Sequence, residues 1–123
     1  MPNELKISDM LKDFGISPIL RGYRYIIYSV EEMLKDQSLM YAITKRLYPL
    51  VAKQFDTTKS RVERAIRHAI EAGWEKGNME TQARLFGYTV DANRGNPSNG
   101  EFICTLADWL VLTEGRADNG NER

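Results

Sequence analysis

Apolar residues recur at helical spacing along most of this 123-residue chain, and this periodicity restricts its fold more than any other feature. In the first segment, Ile7, Met10, Leu11 and Phe14 repeat every three or four positions before Gly15 ends the run. No segment alternates apolar and polar residues long enough to predict a strand with a partner. The pattern therefore predicts an all-α domain, a single compact bundle of about six helices.

Turn-forming residues divide the periodic pattern into separate predicted elements. The predicted helices cover residues 4–14, 19–34, 39–55, 59–75, 80–86 and 98–112. Because Pro49 lies inside the third segment, we expect a kink or a break near Leu47 and Tyr48. Residues 91–100 are predicted to form an exposed loop, and the polar residues 113–123 a disordered tail after a domain that spans 1–112.

Composition and cysteine usage exclude several classes of protein. Hydrophobic residues make up 42% of the chain and charged residues 28%, which is typical of a globular domain. There is no apolar run of transmembrane length and no secretory signal pattern, so we expect no membrane partner. Cys104 is the only cysteine, so an intramolecular disulfide is excluded and a reducing, cytoplasmic location is favoured.

The chain also lacks the residue patterns of catalysis and cofactor binding. Cys104 and the single histidine, His68, are too few ligands for a structural zinc site. The adjacent carboxylates Glu31 and Glu32 have no companion nucleophile or metal ligand, and no glycine-rich phosphate loop occurs. We therefore expect neither an enzyme nor a cofactor.

Positive charge is concentrated in one segment, although the chain as a whole has a formal net charge of zero. Residues 45–68 contain two acidic residues, Asp56 and Glu63, against seven basic ones: Lys45, Arg46, Lys53, Lys59, Arg61, Arg64 and Arg67. A basic patch on an otherwise neutral molecule is typical of one face that attracts phosphate. A solvated helix surface is the alternative interpretation of the same charges.

The basic segment has the sequence shape of a helix-turn-helix. The polar residues 56–58 predict a tight turn between the third and fourth helices, in which either Thr58 or a capping box from Ser60 to Glu63 begins the fourth helix. At about 100° per residue, one side of that helix is apolar and the other polar. The inner side holds Val62, Ala65, Ile66, Ala69, Ile70 and Gly73, and the outer side holds Ser60, Arg61, Arg64, Arg67, His68 and Glu71, with Glu63 at the boundary.

This division is what a helix in the major groove needs, because one face is anchored while the other offers donors and acceptors to base edges. The arginine fork can pair with guanine through two hydrogen bonds, and Glu63 can accept a hydrogen bond from the cytosine amino group. The alternative is a surface held by salt bridges, since Glu63 and Arg67 stand four residues apart. The layout by itself leaves both interpretations open.

A resemblance favours DNA binding. The segments AITKRLYP (42–49), VAK (51–53), TTKSRVERAIRHAIE (57–71), LFGYTV (85–90) and PSNGEFI (97–103), with Gly22-Tyr23 before them, resemble the C-terminal effector domain of the stage-zero sporulation response regulator of spore-forming Firmicutes. The similarity covers nearly the whole chain in order. It implies a six-helix bundle whose fourth helix reads a short G/C-cored box in promoters.

The resemblance also implies roles for individual residues. Base contacts are expected from Arg61, Glu63 and Arg64, and contacts to bases or backbone from Ser60, Arg67 and His68. Lys45, Lys53 and Lys59 flank the predicted recognition helix and are expected to meet phosphates. The partner is then double-stranded promoter DNA. A helical adaptor that binds a protein such as an RNA polymerase sigma subunit is the alternative, and self-association on tandem sites stays open.

Two features depart from the family pattern. Its members normally carry a receiver domain with a phosphoacceptor aspartate ahead of this domain, whereas here Met1 opens almost directly into the first effector helix. These residues therefore do not predict control by phosphorylation. The tail after Leu112 is unlike the short basic ending of the family, so a contact of that ending with polymerase does not carry over to this chain from the resemblance.

Overall fold

The computed structural model describes residues 3–87 and 95–121, with side chains as far as Thr113. These residues form six α-helices, one short 3₁₀-helix and one π-helical turn, and they contain no strand, which confirms the all-α prediction. The α-helices are α1 (Glu4–Phe14), α2 (Arg21–Lys35), α3 (Tyr48–Gln54), α4 (Lys59–Lys76), α5 (Met79–Phe86) and α6 (Asn99–Asn121). None of these helices combines the length and the apolar character that crossing a membrane requires.

The third predicted helix is divided differently from the prediction. A 3₁₀-helix (Gln37–Tyr41) comes first, and the break follows at Ala42, whose φ of −146° and ψ of 47° are not helical. From Ile43 the backbone is helical again, as a π-helical turn that changes to α3 between Leu47 and Tyr48, where the kink was predicted. Pro49, the second residue of α3, has no backbone N–H to donate to the preceding π-helical turn, and the change of helix type falls just before it.

The predicted end of the last helix and the predicted bounds of the loop before it also differ from the structure. Helix α6 continues to Asn121, beyond the end predicted at Leu112. Of the predicted loop 91–100, residues 95–98 are non-helical and 99–100 already belong to α6, while 91–94 lie outside the described residues. The domain boundary at 112 and the disorder of residues 113–123 stay predictions.

The core is built around α2, which packs against α1, α4 and α6. At one end, three buried phenylalanines tie α1, α5 and α6 together: the ring of Phe14 lies 4.8 Å from that of Phe102 and 5.6 Å from that of Phe86. Edge-to-face contacts at this distance add to the energy of apolar burial. The N-terminal and C-terminal parts of the chain thus share one core.

Glycine lets α4 lie unusually close to its neighbours at two places. A Cβ at Gly22 of α2 would stand 2.3 Å from the backbone oxygen of Ala65, so the two helix backbones nearly touch there. A Cβ at Gly73 would stand 2.7 Å from Cγ1 of Ile16, which confirms close packing as the reason for a glycine inside α4. Both contacts fix the position of α4 in the bundle.

Candidate nucleic-acid interface

The turn before α4 is defined by local hydrogen bonds. Asp56 has a left-handed φ of 52°, and the next N–H, of Thr57, donates to the carbonyl of Ala52 at 2.9 Å, which ends α3 in a Schellman motif. The Thr58 side chain then accepts a hydrogen bond from the N–H of Arg61 at 3.2 Å and caps α4. The predicted turn at Thr57-Thr58 is confirmed, and Thr58 rather than Ser60 is the N-cap of α4.

The predicted division of α4 into two faces is confirmed. The inner residues Val62, Ile66, Ala69, Ile70 and Gly73 are buried, and Ala65 is half-buried. The outer residues Ser60, Arg61, Arg64, Arg67, His68 and Glu71 are exposed, while Glu63 is half-buried at the boundary. We call the exposed side of α4 the outer face.

Arg46, one of the basic residues of segment 45–68, is paired with side chains outside α4. The guanidinium of Arg46 donates to the carboxylate of Asp36 and to the hydroxyl of Ser38, both at 2.8 Å. Hydrogen bonds from Ser38 and Arg46 lower the pKa of Asp36 and keep it charged. Arg46 therefore holds the corner between the 3₁₀-helix and the π-helical turn, which agrees with its absence from the predicted contact residues.

The three lysines expected to meet phosphate are all exposed. Lys45 lies in the π-helical turn, Lys53 in the last turn of α3, and Lys59 is the first residue of α4. None of them forms an ion pair with another described side chain. Their ammonium groups are therefore exposed on three neighbouring segments, the π-helical turn, α3 and the start of α4.

The salt-bridge interpretation of the outer face holds for one pair. Arg67 donates to Glu63 at 2.5 Å, as their spacing of four residues predicts. Arg61 and Arg64 form no ion pair with any described side chain. Burying a guanidinium without a partner is costly, and both arginines avoid that cost by facing solvent.

On one side, α4 borders a cleft that we call the α3 cleft. Its volume is about 410 Å³, and its lining is Thr44, Tyr48, Lys59, Ser60, Glu63, Arg64 and Arg67. Next to it, the buried amide of Asn99, at the start of α6, donates to the hydroxyl of Tyr48 and to the backbone oxygen of Glu63, both at 3.0 Å. Burial raises the pKa of Tyr48, so its phenol stays protonated. Asn99 thereby ties α6 to the first turns of the candidate recognition helix.

On the other side lies the α2 cleft, between the start of α2 and the outer face. Its volume is about 330 Å³, and its polar and aromatic lining consists of Arg21, Tyr25, Arg61, Arg64 and His68. No acidic residue lines it. Arg64 lines both clefts and therefore stands at the centre of the outer face.

Sequence reasoning missed Arg21 and Asn99. Arg21 lies outside the basic segment 45–68, and no local pattern indicates that α2 brings it beside α4. Asn99 belongs to the PSNGEFI motif, which was a signal of family membership but gave no role to the amide. Both residues reach the site through the packing of helices that are distant in sequence.

A family model described as "Sporulation initiation factor Spo0A C terminal" matches residues 7–110 of the chain. The match covers most of α1, all of α2 to α5 and the first half of α6, and it confirms the resemblance seen in the sequence. This is a family of transcription-factor DNA-binding domains rather than of enzymes. The chain belongs to this family, and DNA binding in a sporulation transcription factor is the general role that follows.

Proposed function

From this membership, we propose that the domain recognises a short promoter box in double-stranded DNA by placing α4 in the major groove. The observation that carries the proposal is the division of α4, whose apolar side is buried while Arg61, Arg64 and His68 stay exposed and without an ion pair among the described side chains. A regulator of this kind acts in the cytoplasm, where it meets the bacterial chromosome. Control of sporulation genes is the expected context.

Base recognition is assigned to the N-terminal half of the outer face. Arg61 and Arg64 each offer a planar fork that matches the O6 and N7 acceptors of guanine. Glu63 accepts from a cytosine amino group, and its ion pair with Arg67 orients the carboxylate before DNA arrives. Ser60, Arg67 and His68 give further contacts to bases or to the backbone.

Affinity for the backbone is assigned to Lys45, Lys53 and Lys59. Their contacts with phosphate release counterions, so each adds affinity that is independent of sequence and falls with salt. Loss of one such lysine weakens binding to every duplex alike, whereas loss of a base-reading arginine weakens binding to the cognate box alone. The two groups of residues are thereby separable by experiment.

Replacement of Arg64 by alanine is the direct test. A two-point contact with guanine contributes about 1–3 kcal/mol of discrimination, so Arg64→Ala should lose roughly tenfold to a hundredfold in affinity for a G/C-cored box. Arg64→Lys should restore little, because an ammonium cannot form the planar contact. Affinity for cognate and scrambled duplexes is measured by gel shift at fixed salt.

The melting temperature of Arg64→Ala is the control for folding, and we expect a change within about 0.5 kcal/mol because the side chain is exposed. If the variant binds the cognate box as the unchanged domain does, α4 is not the reader. The outer face would then be assigned to a protein partner, such as a sigma subunit, that the domain binds as an adaptor.

A further inference from the structure

We infer that the α2 cleft holds a phosphate of the bound DNA backbone and that Arg21 is its principal ligand. The inference rests on the proposed function and adds to it a second element, α2, that contacts DNA outside the helix-turn-helix. The ligand chemistry is a phosphodiester anion, supplied by the strand that borders the groove occupied by α4.

The α2 cleft opens on the same surface that carries the predicted base contacts. Arg61, Arg64 and His68 belong both to its lining and to the outer face. The major groove is about 12 Å wide, and an α-helix with its side chains has a diameter of roughly 10–12 Å. An inserted α4 therefore fills the groove, and the elements beside it meet the sugar-phosphate strands.

The charges of the α2 cleft suit an anion. Three arginines and one histidine line it without an acidic residue, and none of the three arginines pairs with a described carboxylate. Phosphate oxygens accept strong hydrogen bonds from guanidinium groups. The α3 cleft differs, because Glu63 there already neutralises Arg67.

Arg21 stands at a position where the helix dipole favours an anion. As the first residue of α2, Arg21 places positive charge at the positive end of the helix dipole. The first turn contains no acidic residue, and the N-cap Leu20 provides no side-chain hydrogen bond. A phosphate in the cleft would offset the charge of Arg21 and interact favourably with the helix dipole.

The adjacent glycine makes this arrangement possible. Because Gly22 has no side chain, α2 approaches α4 so closely that a Cβ there would overlap the backbone of Ala65. Arg21 is thereby held against the same stretch of α4 that carries Arg61 and Arg64. Arg24, one turn later, lines a different cavity and pairs with Glu4 at 2.9 Å. The same helix thus offers a matched control.

The test compares Arg21→Ala with Arg24→Ala. Arg21→Ala should lower affinity about fivefold to tenfold for cognate and scrambled duplexes alike, and should reduce the slope of log K against log salt by about one. Arg24→Ala should change neither. Melting temperatures of both variants check folding, and that of Arg21→Ala should not fall, because the mutation removes a positive charge from the positive end of α2.

A second measurement locates the phosphate. Neutral methylphosphonates replace the phosphates of the cognate box one at a time. At one position the replacement should weaken DNA binding by the unchanged domain and leave DNA binding by Arg21→Ala unaffected. Equal affinities of Arg21→Ala and Arg24→Ala would overturn the inference. The inference would also be overturned if inorganic phosphate stabilised the domain through Arg21 while the affinity for duplex DNA did not depend on that residue. If the unchanged domain fails to prefer the cognate box, the proposed function fails instead.

Discussion

The two sides of α4 differ in whether their charged and polar groups are paired within the protein. On the α2 side, cations crowd a cleft without a carboxylate, and the helices approach through a glycine. On the α6 side, an ion pair and a buried amide satisfy the polar groups within the protein. Unpaired charge supports affinity for any phosphate strand, whereas satisfied and fixed groups support the orientation that sequence discrimination needs. The α2 side thus adds a backbone contact through Arg21, and the α6 side fixes the orientation of α4.

The largest effect on stability is expected from Gly22→Ala, which disrupts the packing of α2 against α4. The new Cβ would overlap the oxygen of Ala65 and stand 2.7 Å from Cβ of Ala69, so the helices must separate. We expect a loss of about 3 kcal/mol, measured as a fall in melting temperature of roughly 10 °C. Gly100→Ala is the control, because its Cβ would stand 3.8 Å from the nearest atom, in Ile43. Equal stability of the two variants would show that the helices do not cross this closely.

A smaller effect on stability is expected from Asn99→Ala, which removes the hydrogen bond between α6 and α4. A buried hydrogen bond to Tyr48 and a partly buried one to the backbone of Glu63 are lost, at a cost of about 2 kcal/mol. Discrimination between cognate and scrambled duplexes should fall, because the first turns of α4 lose their attachment to α6. Affinity for scrambled DNA should be retained.

The matched control for this prediction is Asn96→Ala. The Asn96 amide donates to the carbonyl of the adjacent Pro97 and does not join two helices. Stability of Asn96→Ala should change by less than about 0.5 kcal/mol, with discrimination intact. A role of Asn99 in stability alone would be indicated if binding to both duplexes fell in proportion.

The smallest effect on folding is expected from Glu63→Gln. Its ion pair with Arg67 is half-exposed and lies along one helix, so its loss should cost less than about 0.5 kcal/mol in the free energy of unfolding. Discrimination at one base pair should nevertheless fall about fivefold, because the amide accepts more weakly from cytosine than a carboxylate does. Glu71→Gln, farther along the outer face, is the control. If the two variants discriminate equally well, Glu63 does not read a base.

Much of this site could be predicted from the sequence, because its determinants are local. The separation of Val62 and Ile66 from Arg61 and Arg64 follows from the period of the helix alone. The turn at Thr57-Thr58 follows from the capping preference of hydroxyl side chains. Choosing between Thr58 and Ser60 as the first cap required the structure, because both satisfy the same local rule.

Contacts between distant residues were decided by tertiary packing. The break at Ala42 has no Pro or Gly beside it that would have indicated it in the sequence. Arg46 belongs to the basic segment by sequence, but in the fold its guanidinium is paired with Asp36. Arg21 and Asn99 reach α4 from helices that begin well before and well after it in the chain. A repeating backbone determines which way a side chain faces, but the neighbour that it meets depends on how whole helices pack together.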